Sequence, residues 1–126
     1  MVRAMKLLLG LSIAVLAACG GGTPSGATCP PTDPPTYATF GQAFFGKYCT
    51  SCHSATSTNR HDAPGNHNYD SEADIRKHAS AIDEEAAAGP DATNTSMPEI
   101  GGTVVSKPTQ AEREQLGQYI ACLQGS

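Results

Sequence analysis

The sequence predicts an all-α domain, on three observations. Apolar residues recur at helical spacing in three separate segments, each segment opens on a capping signal, and no run alternates apolar and polar residues as a half-buried strand would. The first segment runs from about Tyr37 to Tyr48, with Thr36 as candidate N-cap and apolar positions at Phe40, Phe44, Phe45 and Tyr48. The chain has 4 Tyr and 3 Phe, and five of these aromatic residues fall in this one helix, which therefore carries most of the aromatic core. The second runs from about Ser71 to Ala88, capped by Asp70 or Ser71, with Ile75 and Ile82 one heptad apart and Gly89-Pro90 as the stop. The third runs from Thr109 to Leu123. It opens on Pro108 and a Thr109-x-x-Glu112 capping box, and Leu116, Tyr119, Ile120 and Leu123 form its apolar stripe.

Ahead of these helices the chain divides into two further parts. Arg3 and Lys6 precede an almost unbroken apolar run from Leu7 to Ala18, a secretory signal too short for a membrane span. Its end, Leu16-Ala17-Ala18-Cys19, resembles the lipobox of bacterial lipoproteins, which implies cleavage before Cys19 and lipidation of that cysteine. Several acyl chains give stable anchoring, at ~0.8 kcal/mol per buried methylene. Residue 20 is Gly rather than Asp, which by analogy with lipoprotein sorting favours the outer membrane. Residues 19–36, rich in Gly and Pro, read as a tether, because such a composition buries no core. The organisation expected is thus a signal at 1–18, a tether at 19–36 and a domain at 37–126, exported to the periplasmic side of the envelope.

Cys49-Thr50-Ser51-Cys52-His53 is a C-x-x-C-H pentapeptide, the attachment signature of a c-type haem. Two thiols three positions apart can add to the two vinyl groups of one porphyrin edge, and the next residue supplies the proximal imidazole. A thioredoxin-like redox pair would need a βαβ context, and a zinc site a second ligand pair; neither is visible. Of five cysteines, assigning Cys19 to lipid and Cys49 with Cys52 to haem leaves Cys29 and Cys122. In an oxidising compartment these two are expected to form a disulfide, the alternatives being free thiols or pairing between chains.

Charge excludes one class of partner. The chain has 8 basic and 12 acidic residues; removing Arg3 and Lys6 with the signal leaves 6 against 12, a balance of −6. No basic stripe exists, so nucleic acid is not an expected partner. After signal removal the lysines are Lys47, Lys77 and Lys107. An acidic carrier would meet its protein donor and acceptor through their basic patches or through apolar surface.

Met97 is the sole methionine outside the signal and sits in the polar run Asn94-Thr95-Ser96-Met97-Pro98-Glu99-Ile100, off any helical stripe. Its thioether is a soft ligand that raises a haem potential, and Pro98 would stiffen the loop that presents it. His53 and Met97 are therefore the expected iron ligands, with His61, His67 and His78 as competitors for the second position. Tyr48 and Tyr69 are candidates for the wall of the site, and Arg60 for a contact with a haem propionate.

Taken together, these residues resemble a class I cytochrome c from about Tyr37 to Leu123. In that family the first helix carries a glycine, an aromatic four residues on and the first haem cysteine four further, as at Gly41, Phe45 and Cys49. Leu116 and Tyr119 match the leucine and aromatic of its last helix, and only 44 residues separate His53 from Met97, as in small bacterial members. The resemblance implies three main helices wrapped around one covalent haem c, with the first and last helices crossing at the glycine. It also implies that the Pro64 carbonyl accepts a hydrogen bond from the His53 ring. The function implied is single-electron transfer through a His/Met-ligated iron, with no catalytic residue and no small-molecule substrate. The rival is a haem-based sensor, ligand-binding or peroxidase-like domain with an open sixth iron position, should Met97 not bind.

Overall fold

A computed structural model describes residues 21–126. The expected signal, the lipobox and Cys19 lie outside the described residues. The protein is all-α: four α-helices are present, and among the described residues strand-like pairing is limited to the isolated bridges Ala88–Thr93 and Gly101–Val104. No described helix is long and apolar enough to cross a membrane.

Helix α1 (Gln42–Tyr48) continues from a π-helical turn, Tyr37–Gly41. Thr36 opens the turn with a reciprocal box: its hydroxyl accepts from the Thr39 amide at 3.1 Å, and the Thr39 hydroxyl accepts from the Thr36 amide at 2.9 Å. The second expected helix is two. Helix α2 (Glu72–Lys77) and helix α3 (Ala79–Ala86) meet at His78, whose φ of −116° and ψ of 16° leave the helical region. No Gly or Pro lies in this stretch to announce the break. His78 is held instead by tertiary contacts, with Nε2 2.9 Å from the Asn66 carbonyl and its ring tilted against His67, the centroids 4.3 Å apart. Ser71, not Asp70, is the cap, accepting from the Asp74 amide. Helix α3 also stops short of Gly89-Pro90, because Ala87 turns extended and the Ala88 amide leaves to bond the Arg113 carbonyl at 2.9 Å.

Helix α4 (Gln110–Gln124) has the expected capping box, with the Thr109 amide donating to Glu112 at 2.8 Å and the Glu112 amide to the Thr109 hydroxyl at 3.2 Å. At its far end Arg76 of α2 donates to the Leu123 carbonyl, meeting the need of a helix C-terminus for a cation and a donor. The core gathers Phe40, Phe44, Phe45 and Tyr48 of the first helix with Ile75, Ile82, Leu116, Tyr119, Ile120 and Leu123. At the crossing of first and last helices a Cβ on Gly41 would stand 2.9 Å from Tyr119 Cζ, so only glycine admits the ring there.

The segment expected as a tether is docked over much of its length. Ser25 is 1% exposed and its amide donates to Asp83 at 2.7 Å, with its hydroxyl bonded to the same carboxylate. Buried Asn94 donates to the Thr23 carbonyl at 2.7 Å, and Cys29 is disulfide-bonded to Cys122 of α4, their Cα atoms 4.6 Å apart. Gly117 makes room for this strap, since a Cβ there would sit 2.8 Å from that of Ala27 and 2.5 Å from the Ala88 carbonyl. Composition alone predicts a free linker; specific hydrogen bonds and a cross-link hold the chain down instead.

Candidate functional site

Helix α1 ends at the pentapeptide. The Cys49 amide still bonds the Phe45 carbonyl at 2.9 Å, and the Cys49 carbonyl then accepts from both Cys52 (3.1 Å) and His53 (2.8 Å). These tight turns place Cys49, Cys52 and His53 together on one wall of a cavity of about 500 Å³. That volume is in the range of small-molecule and cofactor sites. Phe44, Phe45, Tyr48 and Leu116 make its floor apolar, Ile82 and Ala86 of α3 add a side, and Met97 lines it from the loop between α3 and α4.

The two thiols are free, and loss of solvent, with Cys52 close by, pushes Cys49 up to about 12. A thiol held protonated at neutral pH is the opposite of the low-pKa cysteine that drives disulfide exchange. The His53 ring stacks on Tyr69 at 4.6 Å, and its Nδ1 lies 3.0 Å from the His67 carbonyl. Burial first, and then the positive charge of Arg60, lower the His53 pKa against the carbonyl's opposing pull. The imidazole is thus neutral with Nδ1–H donating, which leaves Nε2 as its free lone pair.

Pro64 lines the cavity, but its carbonyl does not serve His53. It accepts from the His67 amide at 2.9 Å and from Arg60 at 2.6 Å, and the carbonyl reaching the ring is three residues on. Arg60 is the reason. Its guanidinium donates to the carbonyls of Ser54, Pro64 and His67 and to the Asn68 side chain, drawing the loop in around itself. Of the competing histidines, His61 and His67 line the cavity. His78 faces Asn66 and lies outside the cavity lining.

Met97 is half-buried against the core. Its amide donates to the Glu85 carbonyl at 2.9 Å, its carbonyl accepts from Arg113 at 2.9 Å, and a cis peptide joins it to buried Pro98. Sequence reasoning placed no role on Arg113, Asn94 or the His67 carbonyl. Arg113 had a visible signal: it stands three residues before Leu116 and seven before Ile120, on the apolar stripe of α4, where a charge needs buried partners.

No protein-family model, curated protein or solved structure matches the chain. Function is therefore read from the site. Among the described residues, no three His, Cys, Asp or Glu side chains converge as a metal centre. The cavity offers two thiols, the imidazoles of His53, His61 and His67, and one thioether beside a largely apolar floor.

Proposed function

We propose that this protein is a monohaem c-type cytochrome of the class I kind, an exported, lipid-anchored carrier of single electrons. One observation carries the reading: the three reactive residues of Cys49-x-x-Cys52-His53 and the sole methionine outside the signal, Met97, line one cavity, although 44 residues separate His53 from Met97. The close approach of Gly41 to Tyr119 supports it as the crossing of first and last helices that the family resemblance implies.

The donor set fits a c-type haem. The thiols of Cys49 and Cys52 would form the thioethers, while His53 Nε2 and Met97 Sδ would hold the iron. Bound there, the haem supplies a one-electron couple. The protein's part is to hold both ligands fixed, so that little rearranges when the charge changes. The His67 carbonyl fixes the His53 tautomer and raises its basicity, and Arg60 fixes that carbonyl. Phe44, Phe45 and Leu116 keep water from the floor of the site. With His53 and Met97 both holding the iron, the group would serve electron transfer between a protein donor and acceptor and not the binding of a substrate. Ile100, 56% exposed at the cavity rim, offers such partners an apolar contact.

The docked strap shapes how the anchor works. Thr23 stands four positions after Cys19, a reach of at most about 14 Å, so lipid on Cys19 would keep the domain close to the membrane surface instead of on a long leash.

The test is the absorption spectrum of the isolated lipoprotein. Low-spin ferric haem with a sulfur-to-iron charge-transfer band, and haem that stays with the polypeptide through a denaturing gel, are expected. A high-spin ferric spectrum overturns the carrier and favours a haem with an open sixth position.

A further inference from the structure

Arg113 is 2% exposed and has no carboxylate partner among the described ion pairs. Its Nη1 donates to three carbonyls from two segments: Ala86 at 2.7 Å, Asn94 at 2.8 Å and Met97 at 2.9 Å. Its Nη2 is buried without a partner. A guanidinium keeps its charge even where burial lowers its pKa, so this is a fixed cation balanced only by carbonyl dipoles.

Such a residue is costly to bury, and its three partners show what the cost secures. Ala86 ends α3, and its carbonyl is one of those a helix terminus leaves open. Asn94 anchors the strap through Thr23. Met97 has two backbone hydrogen bonds that reach outside its loop, one to Glu85 of α3 and one from Arg113 of α4. The loop around it has no helix or strand of its own, and Arg113 ties its Asn94 and Met97 carbonyls to α4.

We infer that Arg113 is the positioning residue for the axial thioether, holding the Met97 backbone so that its sulfur stays at the iron, and that its buried charge favours the ferrous state. This rests on the haem reading above. It predicts a specific defect. Weakening the clamp lets an added ligand displace Met97 more easily and lowers the reduction potential, with haem still attached and His53 still bound.

The experiment uses full-length haem-loaded protein and titrates the ferric form with imidazole, following the sulfur-to-iron band. Arg113→Gln, which removes the charge and most donors, should bind imidazole at least about tenfold more tightly, the scale of a lost hydrogen bond to a charged group. Arg113→Lys keeps the charge, but its nitrogen is one bond closer to Cα than the Nη1 that meets all three carbonyls, so it falls short of them and should give an intermediate affinity. Its potential should lie closer to wild type. Arg76→Ala, which loses a carbonyl clamp at the other end of α4, controls for general destabilisation and should leave imidazole affinity unchanged. If Arg113→Gln fails to fold, Arg113→Lys decides alone, since wild-type affinity in that variant overturns the inference. Wild-type affinity in Arg113→Gln overturns it too. Equal weakening in Arg76→Ala reduces Arg113 to a merely structural role. Absence of the band in the wild-type protein refutes Met97 ligation itself, a separate failure.

Discussion

Two irregular segments line the cavity, residues 50–70 after α1 and residues 87–108 between α3 and α4, and each is ordered around one guanidinium. In the first, every carbonyl that Arg60 gathers lies within seven residues of it, and the side chain is half-buried. In the second, Arg113 reaches from α4 to carbonyls 16 to 27 residues away and is almost wholly buried. The pentapeptide side thus carries its own organiser and needs little beyond the end of α1. The Met97 side borrows its organiser from another helix, so Met97 is placed only when α3 and α4 are packed. One half of the site is local chain geometry; the other is tertiary structure.

The most complete break is Met97→Ala. In the haem-loaded protein it should abolish the sulfur-to-iron band and open the iron to imidazole, while haem remains covalently attached through Cys49 and Cys52. A band that persists assigns the sixth ligand elsewhere. Next comes the pair Cys29→Ser with Cys122→Ser, which removes a cross-link spanning 93 residues. The chain-entropy model puts the loss at about 4–5 kcal/mol, read from the denaturation midpoint. Hydrogen exchange should show where it falls. The Met97 and Asn94 amides, bonded to Glu85 and Ala87, should open sooner than Tyr69, whose amide bonds the His53 carbonyl at 2.8 Å. Uniform acceleration would erase the distinction between the two halves. Smaller again is Arg60→Ala, worth about 1–3 kcal/mol for the donors it removes. It should perturb the His53 ring signals in NMR spectra and leave the imidazole affinity of the ferric protein close to wild type, the reverse of Arg113→Gln.

The same division explains what could be read from the sequence. The α4 capping box, its apolar stripe and the extent of the first helix were legible, because capping and periodicity are local properties. The residues that stood out in the sequence, Cys49, Cys52 and His53 in one pentapeptide and Met97 alone in its loop, all line the cavity. The break at His78 was not legible, because it follows from the Asn66 carbonyl and the His67 ring, neither of which marks residue 78 in the sequence. Nor was the docked strap. Its Gly and Pro content resembles that of a linker, and the partners that hold it, Asp83 and Asn94, lie 58 and 71 residues away. The part that the family resemblance implied for the Pro64 carbonyl falls instead to the His67 carbonyl, because Arg60 and the His67 amide engage that of Pro64.

The smallest effect tests how the two halves are joined at their apolar floor. Glu112, on the first turn of α4, accepts from the Tyr48 hydroxyl at 3.0 Å and lies 3.5 Å from Lys47, so it links α4 to the helix that ends in the pentapeptide. The Thr109 amide first, and then the Tyr48 and Thr109 hydroxyls and Lys47, hold its carboxyl below the ordinary value of 4.5. Because the folded value is depressed, the unfolded chain takes up a proton more readily. The stabilisation is therefore complete above pH 4.5 and disappears as pH falls through the folded value. Glu112 is partly solvent-exposed, so the effect is modest. Comparing wild type with Glu112→Gln by denaturation across pH 3 to 6 should show wild type losing its advantage only at the acid end. Equal stability across that range would mean that the capping geometry, which glutamine largely keeps, and not the charge, joins α4 to α1.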